Sequence, residues 1–401
     1  MVSCVAMTTL LLSSCGESGE KNIDYLAVRV SEDEGWSIID KNGKVVVEDE
    51  YPKTSYISAV YDGVYWVETN GTFQLFSVDS PKKPVIDEEF TEVTEFQAGR
   101  AAVFVQGEPI RLIDTSGKTV ATLGKNIKGC TKFSEDGVAA FVTSSGKFGV
   151  IDKDGKIVIK AEYDAAMPFG DGVVAALKNE KDKNVVMLDS KGKKLCTIKQ
   201  KYLCLGGFSE GKILIVNSES SASRQEIWNK EGKRLFIINN SSSIGDDEAK
   251  YIDGYIIFRN DDKYGIVDSE GKTVIRAKYK HIINLGKGEF AVSKDGDKWG
   301  IVNTKDEEIL GFYYSYALDA TLGGNYLMKD GSEFLLIKRG GDNEVLGSFY
   351  AMSLSLYECQ YVEDIAKDDA ETDVYTDDTE DYPYVVDSIC DYDALVDYEE
   401  W

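Results

Sequence analysis

The chain has 401 residues and a formal net charge of −25, from 45 Lys and Arg against 70 Asp and Glu. Such acidity excludes the ordinary binders of DNA, RNA and anionic lipid, which need a basic surface. The 37 Gly and 23 Tyr, against 6 Pro, favour many tight turns between strands over long helices.

Taken in chain order, residues 2–12 (VSCVAMTTLLL) come first and are all apolar or small. They are too few to span a bilayer, which takes about 20 residues, but they suit a secretory h-region. Leu12-Ser13-Ser14-Cys15 resembles the bacterial lipobox, although no Lys or Arg precedes the apolar run. The resemblance implies a signal peptide over residues 1–15 with Cys15 as the lipidation site, and a tether over residues 16–23. It also implies an exported chain, held by lipid on the periplasmic face or at the cell surface of a bacterium.

Residues 24–350 repeat one unit about nine times. Each copy is an apolar run that ends in Asp or Asn and is followed by a turn with Gly. The corners are Asp40 with Gly43, Asp114 with Gly117, Asp152 with Gly155, Asp189 with Gly192, Asn229 with Gly232, and Asp268 with Gly271. Asn303 keeps the strand but has Asp306 in place of Gly, and weaker copies end at Asp79 and Lys338. From Asp40 to Asn303 the spacings are 39, 35, 38, 37, 40, 39 and 35 residues.

The Asp side chain can accept a backbone N–H two residues on, and Gly supplies the left-handed residue that closes the turn, so each D-x-x-G predicts a hairpin corner. A second apolar run precedes each corner strand (Val138–Val142, Val173–Leu177, Ile213–Val216) and a third follows it. Three or four short antiparallel strands per unit predict an all-β repeat protein. The expected form is a β-propeller of eight or nine blades, with an open β-solenoid stack as the alternative. Closure is preferred because it removes sheet edges.

Lys147-Phe148-Gly149-Val150-Ile151-Asp152, Lys263-Tyr264-Gly265-Ile266-Val267-Asp268 and Lys298-Trp299-Gly300-Ile301-Val302-Asn303 resemble the WG-repeat family of bacterial proteins. The resemblance extends over residues 25–340, with Trp36-Ser37 replacing the aromatic–Gly pair. It implies a β-repeat fold and envelope or interaction roles, and it brings no catalytic residue.

Candidates for chemistry are few. The one histidine, His281, stands where the aligned unit has an alanine, and no G-x-S-x-G accompanies it. None of the seven cysteines has metal-type spacing; Cys196 and Cys204 could pair or be two buried thiols. Asp152-Lys153-Asp154-Gly155 lacks the rest of a calcium loop and reads as a turn. Trp36, Trp228 and Trp299 fall at or near the strand position and read as core, while the face of Trp66 is open. No catalytic residue, metal site or cofactor is assigned.

Residues 351–401 form an acidic tail: from Glu358 on there are 17 Asp and Glu against one Lys, Lys367. Its composition predicts a largely disordered segment that either solvates or docks. The expected function is a non-catalytic binding scaffold for a protein, peptide or glycan, with no nucleic-acid partner. The alternative is an envelope carbohydrate hydrolase using paired carboxylates on a propeller rim.

Overall fold

The computed structural model describes residues 22–355 apart from 31–33, 49–50, 52–54, 179–183, 200–201, 218–223, 239–248 and 342, together with 359–362 and 386–387. Residues 1–21, with Cys15, and most of the acidic tail therefore lie outside the described residues. Among the described residues there is no helix, and the strands assemble into nine small sheets, the blades. In chain order they are blade 1 (25–47, with 353–355), blade 2 (56–77), blade 3 (92–122), blade 4 (127–163), blade 5 (165–198), blade 6 (202–237), blade 7 (255–279), blade 8 (281–314) and blade 9 (316–350). Val173–Leu177 is buried at all five positions, a pattern that needs cover on both faces of the sheet.

Blade 8 shows the plan. His281–Asn284, Glu289–Ser293, Trp299–Asn303 and Glu308–Tyr314 pair in chain order as an antiparallel meander. The register His281↔Ser293↔Trp299↔Tyr314 sets one end of the blade. That end carries the aromatic–Gly pair and the crossover to the next blade, and is here called the aromatic face. The opposite end carries the first turn and the corner turn, and is called the corner face. In Phe148-Gly149 the glycine is a packing requirement: a Cβ there would lie 2.6 Å from the Ile159 carbonyl oxygen and 2.6 Å from the Phe141 ring.

Nine apolar clusters fill the nine interfaces between consecutive blades. The cluster between blades 9 and 1 joins Leu318, Leu327 and Phe334 to Leu26, Val28, Ile39 and Leu354. The molecule is a closed nine-bladed β-propeller. The expectation of eight or nine blades resolves to nine, and the open stack is not the arrangement.

Closure draws on both ends of the ring. Blade 1 takes Tyr25–Arg29, Trp36–Asp40 and Val45–Val47 from the start of the chain and its innermost strand, Ser353–Ser355, from the end, with Ala27↔Ser355 in register. Asn22–Ile23 pairs in parallel with Thr321–Leu322 inside blade 9. The ring thus runs past Tyr350, where the repeat stops in sequence. Beyond it, Cys359–Val362 pairs with Ser353–Ser355, and Val386–Asp387 pairs with Cys359 and Gln360.

Three blades depart from the plan among the described residues. Blade 7 has three strands, Tyr255–Asn260, Lys263–Asp268 and Thr273–Tyr279. Blade 2 has no regular outer strand; Val85 instead donates to the Leu75 carbonyl at 2.7 Å, and Phe90 and Phe73 exchange backbone bonds. In blade 9, where the repeat degenerates at Lys338, the corner is replaced by Arg339, which forms an ion pair at 2.9 Å with Glu289 of blade 8.

Candidate functional site

The repeated corners are the first place to look for chemistry, because they carry regularly placed carboxylates. At Asp152, Oδ1 accepts the amides of Asp154 (3.0 Å) and Lys156 (2.9 Å), and the Asp152 carbonyl accepts the Gly155 amide at 2.9 Å. Asp40 holds Asn42 and Lys44 in the same way, Asp114 holds Ser116 and Lys118, Asp189 holds Lys191 and Lys193, and Asp268 holds Glu270 and Lys272. Asn229 accepts the Lys233 amide. The Ser116 hydroxyl, with the two amides, holds the Asp114 carboxyl below the usual range.

Gly155 sits at φ +77°, and a Cβ there would lie 2.6 Å from Ala121 of blade 3. The corner glycine therefore serves two ends: it closes the turn and seats the corner on the preceding blade. The equivalents at Gly43, Gly117, Gly192, Gly232 and Gly271 have positive φ and meet the outer segment of the blade before them. These residues are brought together as a belt of hairpins and blade contacts, not as a cluster of reactive groups.

A second set of acids was not singled out from the sequence. Asp136 accepts the Gly172 amide of the next blade, Asp171 accepts that of Gly211, Glu210 that of Gly254 at 2.8 Å, and Asp253 that of Lys287. Each lies in the first turn of its blade. Acid–Gly dipeptides at Asp62, Asp136, Asp171, Glu210 and Asp253 were the available signal.

The aromatic face of blades 8 and 9 holds the group best placed to meet a ligand. The His281 imidazole stacks on the Trp299 indole at 5.7 Å and 16°, and Tyr316 lies 6.1 Å from the same indole. Trp299 is buried, at 7% exposure, whereas Tyr313, next in the chain to its cross-strand partner Tyr314, is 72% exposed. Lys298 Nζ donates to the Tyr313 carbonyl at 3.3 Å, and Lys294 Nζ lies 3.8 Å over the Phe312 ring. Burial, then Lys280 and Lys263, push the His281 pKa below its ordinary value, so the imidazole is neutral at pH 7. What the group offers is flat ring surface, hydrogen-bonding edges and lysine charge.

Of the other residues singled out, Trp66 is 2% exposed, packed between blades 2 and 3 against Phe90 and Phe96, with its indole N–H bonded to the Thr94 carbonyl. Trp36 is buried, and Trp228 donates to Glu226 at 2.8 Å. Cys196 and Cys204 share the core of blades 5 and 6 as free thiols. Among the described residues no His, Cys, Asp and Glu grouping has metal-binding geometry.

A nine-bladed all-β repeat propeller is the class that the fold defines. The model of the WG containing repeat matches residues 36–73, 148–181 and 264–299, so the chain carries WG repeats at these three segments. No curated protein matches it. Among solved structures it is similar to a eukaryotic initiation factor at 10% identity and TM-score 0.53, covering 84% of this chain and 98% of that one. It is also similar to BamB from Moraxella catarrhalis at 12% identity and TM-score 0.35, covering 67% and 93% respectively. The first likeness supports the propeller architecture alone.

Proposed function

We propose that the protein is a non-catalytic binding scaffold of a bacterial envelope, exported and held to the membrane by lipid on Cys15. Its ligand is a protein, peptide or glycan that seats against the aromatic face of blades 8 and 9. The observation that carries this reading is the exposed Tyr313 ring at the strand end of blade 8 that also carries the His281–Trp299–Tyr316 stack. Flat rings with polar edges give contact area at low entropic cost and suit sugar faces and peptide side chains alike. The corner carboxylates support the non-catalytic reading, since each is already engaged by backbone amides.

Calorimetric titration of the full chain with a panel of envelope glycans and peptides tests this. Tyr313→Ala and His281→Ala should weaken binding about tenfold, whereas Ile157→Ala, an exposed side chain at the corner end of blade 4, should not. Undiminished binding in the first two variants, or hydrolysis of a panel glycan, would sink the reading. Fatty-acid labelling that disappears in Cys15→Ala checks the anchor.

A further inference from the structure

The corner face is not uniformly acidic. The corners of blades 5 and 6 concentrate positive charge in Lys191, Lys193, Lys194, Lys230, Lys233 and Arg234, against Asp189 and Glu231. Lys230 and Arg234 are occupied by Asp171 and Glu226. Lys191, Lys193, Lys194 and Lys233 are exposed, and none of their ammonium groups meets a carboxylate among the described residues. The Asp189 carboxylate that would offset them points its Oδ1 at two turn amides.

The opposite charge lies in the same chain. Residues 358–401 hold 17 of the 70 acidic residues and one Lys. The register also directs the tail. Ser355↔Gln360 and Cys359↔Asp387 point the chain beyond Asp387 toward the corner face, the end of blade 1 that carries Asp40. The 14 residues that follow include Asp391, Asp393, Asp397, Glu399 and Glu400. Blades 5 and 6 stand opposite blade 1 in the ring of nine, so the tail has to cross the central channel and about one blade. Fully extended, 14 residues reach about 45 Å, against about 15 Å for the width of a four-stranded blade.

We infer that the acidic tail docks on the corner face of its own ring, with the lysines of blades 5 and 6 as its seat. Single exposed ion pairs contribute little. A tethered tail, however, meets the patch at an effective concentration that no separate acidic chain matches, and its many carboxylates engage several lysines at once. The contact is electrostatic and screened, so it weakens as salt rises.

Zero-length carbodiimide cross-linking of the full chain, mapped by peptide mass spectrometry, tests it. At low ionic strength, cross-links from residues 358–401 to Lys191, Lys193, Lys194 and Lys233 should exceed those to Lys44, Lys118 and Lys272 at least fivefold; these controls occupy the same turn position in other blades. The preference should vanish in about 0.5 M salt. In a K191Q/K193Q/K194Q/K233Q full chain with unchanged melting, tail cross-links should fall to the control level. Even spread over all corner lysines, absence of tail cross-links, or cross-links found only between isotopically distinct copies would each overturn the proposal.

Discussion

The Tyr279 hydroxyl, on the outer strand of blade 7, donates a 2.7 Å hydrogen bond to Oδ1 of Asp306, which stands in blade 8 where six other corners carry glycine. Asp306 keeps the left-handed conformation of those glycines, at φ +65°, and its other oxygen pairs with Lys278. The departure from the repeat thus exchanges close backbone approach for a polar clasp between the same two blades.

That exchange sets an order of stability. Asp306→Gly relieves the backbone but strands the buried Tyr279 hydroxyl, and should cost about 1 kcal/mol. Asp306→Ala loses the clasp and keeps the strained φ, so it should cost more, about 2 kcal/mol. Denaturant midpoints at constant m-value check the ranking.

The corner carboxylates are replaceable by amides. Asp152→Asn retains an oxygen for the Asp154 and Lys156 amides, as Asn229 does for Lys233, and should be nearly neutral. Asp152→Ala should cost about 1 kcal/mol. At Asp114, where the folded pKa is lowered, the contribution is complete above the ordinary carboxylate pKa of about 4. It disappears as pH falls through the lower folded value, and Asp114→Asn should flatten that part of the stability–pH curve.

Closure should behave as core. Leu354 is fully buried against Leu26, Val28 and Leu318, so Leu354→Ala should destabilise the whole ring by about 2–5 kcal/mol. A single cooperative unfolding transition that moves with this substitution is the expected result. A separate early transition confined to blade 1 would contradict it.

His281 is the chain's one histidine, so its imidazole resonance is unambiguous. Its titration midpoint should lie below about 6.5. Burial is the larger cause, so Lys280→Gln and Lys263→Gln should each raise the midpoint only in part. The stability this group contributes is present above the unfolded value and declines as pH falls toward the folded one.

Burial pushes the Cys130 and Cys204 thiols up to about 12. Against an unfolded value of about 8.5, their contribution is complete below that pH and is lost as pH rises toward the folded value. In the native chain at pH 8, half-exposed Cys196 should be alkylated well before either of them, as peptide mapping would show.

The blade plan was legible because its periodic residues have local reasons: Asp152 and Gly155 make a turn that any hairpin could use. The second role of Gly155, against Ala121, was not legible, since it exists only once blade 3 lies beside blade 4. The closing strands were also hidden. Asn22–Ile23 has two residues and Ser353–Ser355 three, too few for a period to show. Trp299 read as core and is core, 7% exposed between blades 8 and 9, but its stacking with His281 and Tyr316 was not legible, because Tyr316 comes from the next blade across a crossover.

The paired ends of the ring also determine when it can form. The Thr321 hydroxyl donates to Asn22 at 3.1 Å across 299 residues of chain, a separation that places closure among the slowest and most entropically costly contacts of folding. Blades 3–8 each form from one continuous stretch and can fold as the ribosome releases them. Blade 1 waits with its inner edge unpaired until Leu354 is made. During that interval Tyr25–Arg29 is an open strand edge, so the nascent chain stays exposed to mispairing until Ser353–Ser355 has emerged.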